Sequence, residues 1–201
     1  MADPKDDDST DIEAKVEAFA KDMTKCAETL RKARETSAKG TKDEGKKIPV
    51  VKFSMSKNKV SKSRTPAEQA KEVVGGKSYV CWSSHMADKA RHVLMTVDGK
   101  ASWEPKEAFG DDFDQFTKEW GAAMKKHGLK NAEGNDGWPS WDEFHLELPE
   151  SKMSTGDKRA QACLDEYAKL TRKDGKKQNK KFEDKYKKLL QPHIDKYEKK
   201  K

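Results

Sequence analysis

Apolar residues recur at Ile12, Val16, Phe19, Met23, Cys26, Leu30 and Ala33, in alternating steps of four and three. That spacing keeps one stripe on one face of a helix. Thr10 followed by Glu13 forms the T-x-x-E pattern of a capping box, and Gly40 lies past the end of the stripe. The pattern predicts an amphipathic helix over residues 10–36. Such a stripe must be covered, either by the chain's own core or by another helix. A seam through Ile12, Val16, Phe19, Met23 and Leu30 is therefore a candidate for self-association. The chain has few residues of this kind to spare: 33% are hydrophobic and 39% are charged. Burial of apolar surface has to offset lost conformational entropy, so a modest core with solvated arms is expected. The acidic residues 1–9 are read as a disordered tail.

The middle of the chain mixes periods. In IPVVKFSMSK, Val51, Phe53 and Met55 alternate with Lys52, Ser54 and Ser56, the period of a half-buried strand. Thr65, Pro66 and Glu68 predict a capped helix that Gly75 and Gly76 stop. Residues 79–82 and 91–97 read as strands, and Asp98-Gly99 is a hairpin signal with Ala101–Trp103 returning. Trp103 is expected to enter the core before Pro105. Asp111 is expected to cap a helix carrying Phe113, Phe116, Trp120, Ala123 and Met124, with Gly128 at its end. His145–Leu148 reads as a short strand. Ser154 and Asp157 open a helix with Ala160, Cys163, Leu164, Tyr167 and Leu170 on one face. A last helix carries Phe182, Tyr186, Leu189, Leu190, Ile194 and Tyr197, and Pro192 is expected to kink it.

These elements predict an α+β fold. A small antiparallel sheet with packed helices is flanked by an N-terminal amphipathic helix and a C-terminal basic helical hairpin. By segment, the expectation is an acidic tail over 1–9, the helix over 10–36, a basic Lys/Ser-rich arm over 37–64, an α+β core over 65–157 and a Lys-rich hairpin over 158–201.

Charge is blocked along the chain. Residues 37–76 hold 10 basic and 4 acidic residues, residues 77–157 hold 10 and 15, and residues 158–201 hold 16 and 7. Only six of the basic residues are Arg. Lysine is a hydrated point charge, whereas arginine carries the planar fork that reads base edges. The blocks suit a diffuse acidic surface. The candidate binding residues are Lys57, Lys59, Lys62 and Arg64 in the arm, and Lys176, Lys177, Lys180, Lys181, Lys187 and Lys188 near the C-terminus. The partner expected first is nucleic acid bound without sequence readout. An acidic protein surface, such as a cytoskeletal filament or a larger assembly, is the alternative.

Two stretches thirty-eight residues apart, VDGKASWEP and NDGWPSWDEF, share D-G-x-x-S-W. The second resembles the late half of an EF-hand, with Asp136, Gly137, Ser140 and Glu143 in register. Its early ligand positions fall on Ala132 and Gly134, which offer no side-chain oxygen for calcium. Trp82 and the W-E-P of Trp103–Pro105 together resemble a WW module, and W-E-P-K-E-A-F resembles the end of a chromodomain. Val93, Leu94 and Met95 stand where a WW strand would place aromatics. The chromodomain resemblance implies an aromatic pocket of Tyr79, Trp82 and Trp103 that would hold a methylated ammonium by cation–π contact. The thirty-eight-residue recurrence conflicts with the periods around it, strand in one copy and helix in the other, which favours recurring turns over a repeated module.

The sequence has no G-x-S-x-G, P-loop, G-x-G-x-x-G or H-x-x-x-H. Cys81, His85 and His92 have loose metal-like spacing without a C-x-x-C knuckle. A non-enzymatic protein without metal or cofactor is the expectation. Cys26, Cys81 and Cys163, odd in number and far apart, suggest a reducing intracellular compartment, nucleus or cytoplasm. No apolar run reaches the ~20 residues of a membrane span, and the acidic start does not read as a secretory leader.

Overall fold

The computed structural model describes residues 8–57, 64–140, 142–149 and 153–198, with the side chains of 8–10 outside that set. It is a mixed helix-and-sheet protein, as the sequence predicts, and it divides into two compact units. Residues 8–57 with 90–149 form the first, and residues 64–89 with 153–198 form the second. Each is therefore built from two separated stretches of chain.

The first unit contains α1 (Asp8–Ala38), β1 (Val51–Met55), β2 (Ala90–Val97), β3 (Lys100–Ser102), α3 (Pro105–Phe109), α4 (Phe113–His127) and β4 (His145–Glu147). β2 is the central strand. It pairs antiparallel with β1 along Val93–Val97, with β3 along Met95–Val97 and with β4 along Ala90–His92. Asp98 and Gly99 turn β2 into β3 with φ of 49° and 80°. Both central residues at positive φ give the mirror-image turn whose twist matches a hairpin. The second D-G pair, Asp136-Gly137, lies in a loop after α4.

β1 lies in the segment read as a basic arm, and it pairs into the sheet because alternation leaves Val51 and Phe53 buried and Lys52 and Ser54 exposed. α1 starts at Asp8, so residues 8 and 9 are helical and not tail; residues 1–7, and the Thr10 side chain of the expected cap, lie outside what is described. The α1 stripe is covered from within the chain. Ile12, Val16, Phe19 and Met23 are buried in one cluster with Phe53, Phe116, Trp120 and Leu146, and the half-buried Leu30 packs against it. This corrects the self-association seam: its apolar side chains are consumed by β1 and α4. Asp22 ties the same two helices, accepting from Lys126 Nζ at 2.6 Å with His127 Nε2 at 2.9 Å. Those hydrogen bonds hold its carboxyl below the usual range.

Trp103 does not enter the core. It is 57% exposed and touches Phe144 edge-on at 5.3 Å between centroids. The buried indole is Trp120, in contact with Phe19, Phe53, Phe116, Trp138 and Phe144. α4 is not capped by Asp111. The short helix α3 and a 3-10 turn over Gly110–Asp112 lead into it instead, and Gly128 ends it with φ of 64°.

The second unit is helical: α2 (Pro66–Val74), α5 (Lys158–Ala168) and α6 (Lys180–Ile194) enclose Ala70, Val73, Cys81, Cys163, Leu164, Tyr167, Phe182 and Leu190. The expected hairpin of α5 and α6 is thus completed by α2, which the segment boundaries had assigned to the core. Residues 79–82 form no strand. The Val80 carbonyl that a ladder would use accepts instead from Gln69 Nε2 at 2.8 Å, and Cys81 is buried with the helices. The break within α6 falls at Tyr186 (φ −117°, ψ 22°), six residues before Pro192.

α2 carries its full capping box: Thr65 Oγ1 accepts from Glu68 N at 3.2 Å and Glu68 Oε2 accepts from Thr65 N at 2.8 Å. Replacing Thr65 by alanine is expected to cost about 1 kcal/mol, since an orphan amide loses its acceptor. Thermal unfolding of T65A should show a lower Tm, and an unchanged Tm would mean that the box contributes nothing.

Candidate polyanion-binding cleft

Asn179 organises one end of the helical unit. As the N-cap of α6, its Oδ1 accepts from Phe182 N at 3.2 Å. Its Nδ2 donates to the Val73 carbonyl at the end of α2 at 2.8 Å, and its backbone N donates to Tyr167 Oη of α5 at 2.9 Å. The Tyr167 hydroxyl in turn donates to Glu183 Oε1 at 2.9 Å. Burial pushes that phenol's pKa up, so it stays a donor. Arg172 completes the set with a two-pronged contact to Glu183 at 3.1 and 3.2 Å. One asparagine thus pins the ends of three helices to one another.

Around this junction the chain leaves a cleft of about 780 Å³. One wall is Val74, Gly75 and Gly76 at the end of α2; the other is Thr171 and Gly175–Lys181 leading into α6. The glycines have a mechanical reason to be there. Gly76 and Gly175 sit at φ of 74° and 67°, which L side chains adopt at a cost, and no side chain projects from them into the opening. Lys176, Lys177, Lys180 and Lys181 all line the cleft and all are exposed. Among the described residues none of the four has a carboxylate within 4.0 Å. The stretch 173–181 contains a single acid, Asp174. Glu183, the acid next along α6, is already neutralised by Arg172. The first-turn amides of α6 add partial positive charge on the same side, because they have no intrahelical carbonyl to bind.

The structure therefore brings together four of the ten cationic candidates. Lys187 and Lys188 are exposed farther along α6 and do not line the cleft. Lys57 is exposed just past β1 in the first unit. Arg64 is half-buried, and its Nη1 donates to Gln69 Oε1 at 3.1 Å, so it helps to hold the start of α2. Lys59 and Lys62 lie outside the described residues. Gly75, Gly76 and Asn179 were missed as site residues. The Gly-Gly pair read only as a helix stop, and no local pattern marks an asparagine that bonds to three helices.

The aromatic pocket is not assembled in either unit. Trp103 belongs to the first unit, where it meets Phe144. In the second, Trp82 packs edge-on against Tyr186 at 4.8 Å, while Tyr79 is 49% exposed. A cage needs its rings around one void, and Trp82 is packed against Tyr186 instead. The EF-hand-like loop is organised by a buried asparagine. Asn131 Nδ2 donates to Asn135 Oδ1 and to the Gly137 carbonyl, and its Oδ1 accepts from the amides of Glu133 and Asn135. Ser140, in register with a late EF-hand position, donates through its amide and its hydroxyl to Glu133. Those bonds hold the Glu133 carboxyl below its usual range.

Among the described residues no helix is long and apolar enough to cross a membrane. Comparison with protein-family models, with curated proteins and with solved structures finds no match for this chain.

Proposed function

We propose that this is a non-enzymatic binding protein that holds an acidic polymer, nucleic acid before all others, in the lysine-lined cleft at the start of α6. The observation that carries the reading is the convergence of Lys176, Lys177, Lys180 and Lys181, none of them ion-paired among the described residues, on one open cleft. Like charges gathered without internal counterions repel one another, and an anionic ligand would relieve that repulsion. Lysine ammoniums suit phosphate oxygens as point charges and carry no base code, so binding is indifferent to sequence. The cleft has a volume of about 780 Å³, and Gly75 and Gly76 put no side chain into its wall.

The test is a fluorescence-anisotropy titration of labelled duplex and single-stranded oligonucleotides of several sequences. Binding is expected at low salt, with little preference among sequences, and should weaken steeply between about 50 and 200 mM salt as counterion release loses its advantage. No binding to any oligonucleotide at low salt removes nucleic acid as the partner. Co-sedimentation with an acidic protein filament under the same conditions would then put an acidic protein surface in its place.

A further inference from the structure

His92 on β2 stands directly opposite His145 on β4 in the antiparallel register. Their rings lie 5.3 Å apart, and a ring nitrogen of each lies within 4.8 Å of the other's. Asp142, in the turn leading into β4, reaches both. Its Oδ1 is 3.3 Å from His92 Nε2 and its Oδ2 is 3.6 Å from His145 Nδ1. On the far side of the second ring, His145 Nε2 meets Glu147 Oε2 at 3.1 Å. Both imidazoles are largely removed from water, with side-chain exposures of 17% and 8%.

We propose that His92 Nε2, His145 Nδ1 and the Asp142 carboxylate form a binding site for a divalent transition-metal ion of the zinc class. Metal–ligand distances of about 2.0–2.1 Å in a tetrahedron place ligand atoms about 3.3–3.4 Å from one another. Asp142 Oδ1 already stands at that distance from His92 Nε2, 3.3 Å, and Oδ2 is 3.6 Å from His145 Nδ1, so ligation through one oxygen requires the carboxylate to turn toward the second imidazole. A ring nitrogen of His92 lies within 4.8 Å of one on His145, so the third edge needs the two rings to close by a movement of about 1.5 Å. Imidazole and carboxylate together suit zinc and its neighbours better than calcium or magnesium, which take all-oxygen shells. Glu147 occupies the position of an outer carboxylate: held on Nε2, it fixes the His145 tautomer and turns Nδ1 toward the ion. Three protein donors leave one position for water or a further donor. The ion would staple β2 to β4 and secure the turn at Asp142, whose φ is 51°.

The experiment uses the full chain, treated with chelator and titrated with Zn²⁺ by calorimetry and with Co²⁺ by visible absorption. The expected result is one equivalent of each, the d–d spectrum of a tetrahedral cobalt ion with nitrogen and oxygen donors, and a higher Tm with zinc. His92→Gln and Asp142→Asn should each abolish stoichiometric binding, while Glu147→Gln should keep it but weaken it by about 10–100-fold. Circular dichroism checks that each variant is folded. His92 and Asp142 are the less buried members, so their variants carry the test if changes at His145 unfold the unit. Failure of the wild-type chain to bind one equivalent overturns the proposal. Undiminished binding in folded H92Q and D142N also overturns it, as does a cobalt–thiolate charge-transfer band, which would place the ion on cysteine.

Discussion

Replacing Trp120 by alanine is expected to destabilise the sheet-containing unit by about 3–5 kcal/mol, the range for removing a large buried aromatic. The indole is fully buried and sits where α1, β1, α4 and the loops of residues 138 and 144 converge. Phe19 meets it edge-on at 4.7 Å, Trp138 at 5.1 Å, Phe116 at 5.8 Å, and Phe53 and Phe144 at 5.9 Å. Five rings fixed around one cannot all move inward, so a cavity remains and its lining loses dispersion contacts. A domain's whole stability is about 5–15 kcal/mol, so the variant should sit near the edge of folding. Urea unfolding followed by near-ultraviolet circular dichroism measures the loss. The control is Trp103→Ala at a ring 57% exposed, where a change within about 0.5 kcal/mol is expected. A W120A protein as stable as wild type would mean that the aromatic cluster does not hold this unit together.

The second large effect concerns binding. Each phosphate neutralised by a lysine contributes about 0.9 to the slope of log affinity against log salt. Removing Lys176, Lys177, Lys180 and Lys181 together should therefore lower that slope by about 3 to 4, so that the affinity lost between about 50 and 200 mM salt shrinks by about 100-fold. The double variant K187A/K188A, outside the cleft, should change both much less. Asn179→Ala offers an independent route to the same outcome. It leaves every lysine in place but removes the bonds to Val73 and Phe182 that hold the cleft's walls. Weakened binding in N179A, with secondary structure intact, would tie affinity to the shape of the cleft. If the quadruple variant binds as tightly as wild type, or if K187A/K188A is as damaging, the lysines act only as diffuse surface charge.

Local chemistry was legible at several points. Thr65-Pro66 with Glu68 announced α2 because cap and box lie within four residues. Asp98-Gly99 announced its hairpin because the turn itself demands positive φ. Val51 and Phe53 showed a strand by alternation alone. The lysines that line the cleft were named from composition, but so were Arg64 and Lys187, which serve elsewhere or stand apart. Exposure of an indole has no local signature: Trp120 lies on the buried face of α4, whereas Trp103 follows the end of β3 and meets Phe144 from an exposed position. The His92–His145 pair was equally hidden, since the two histidines lie fifty-three positions apart on strands that only register brings face to face.

The sequence by itself determined the start of α2, the Asp98-Gly99 turn, the apolar faces of α1, α4, α5 and α6, and the excess of lysine after residue 158. Those depend on neighbours within a few positions, through capping, φ preference and side-chain period. The tertiary structure alone decided that α1 spends its stripe on β1 and α4, that α2 joins α5 and α6 around Asn179, and that Gly75–Gly76 faces four lysines a hundred residues away. Such pairings are settled by which buried surfaces fit and which polar groups find partners, a competition among distant segments that no short window of residues records.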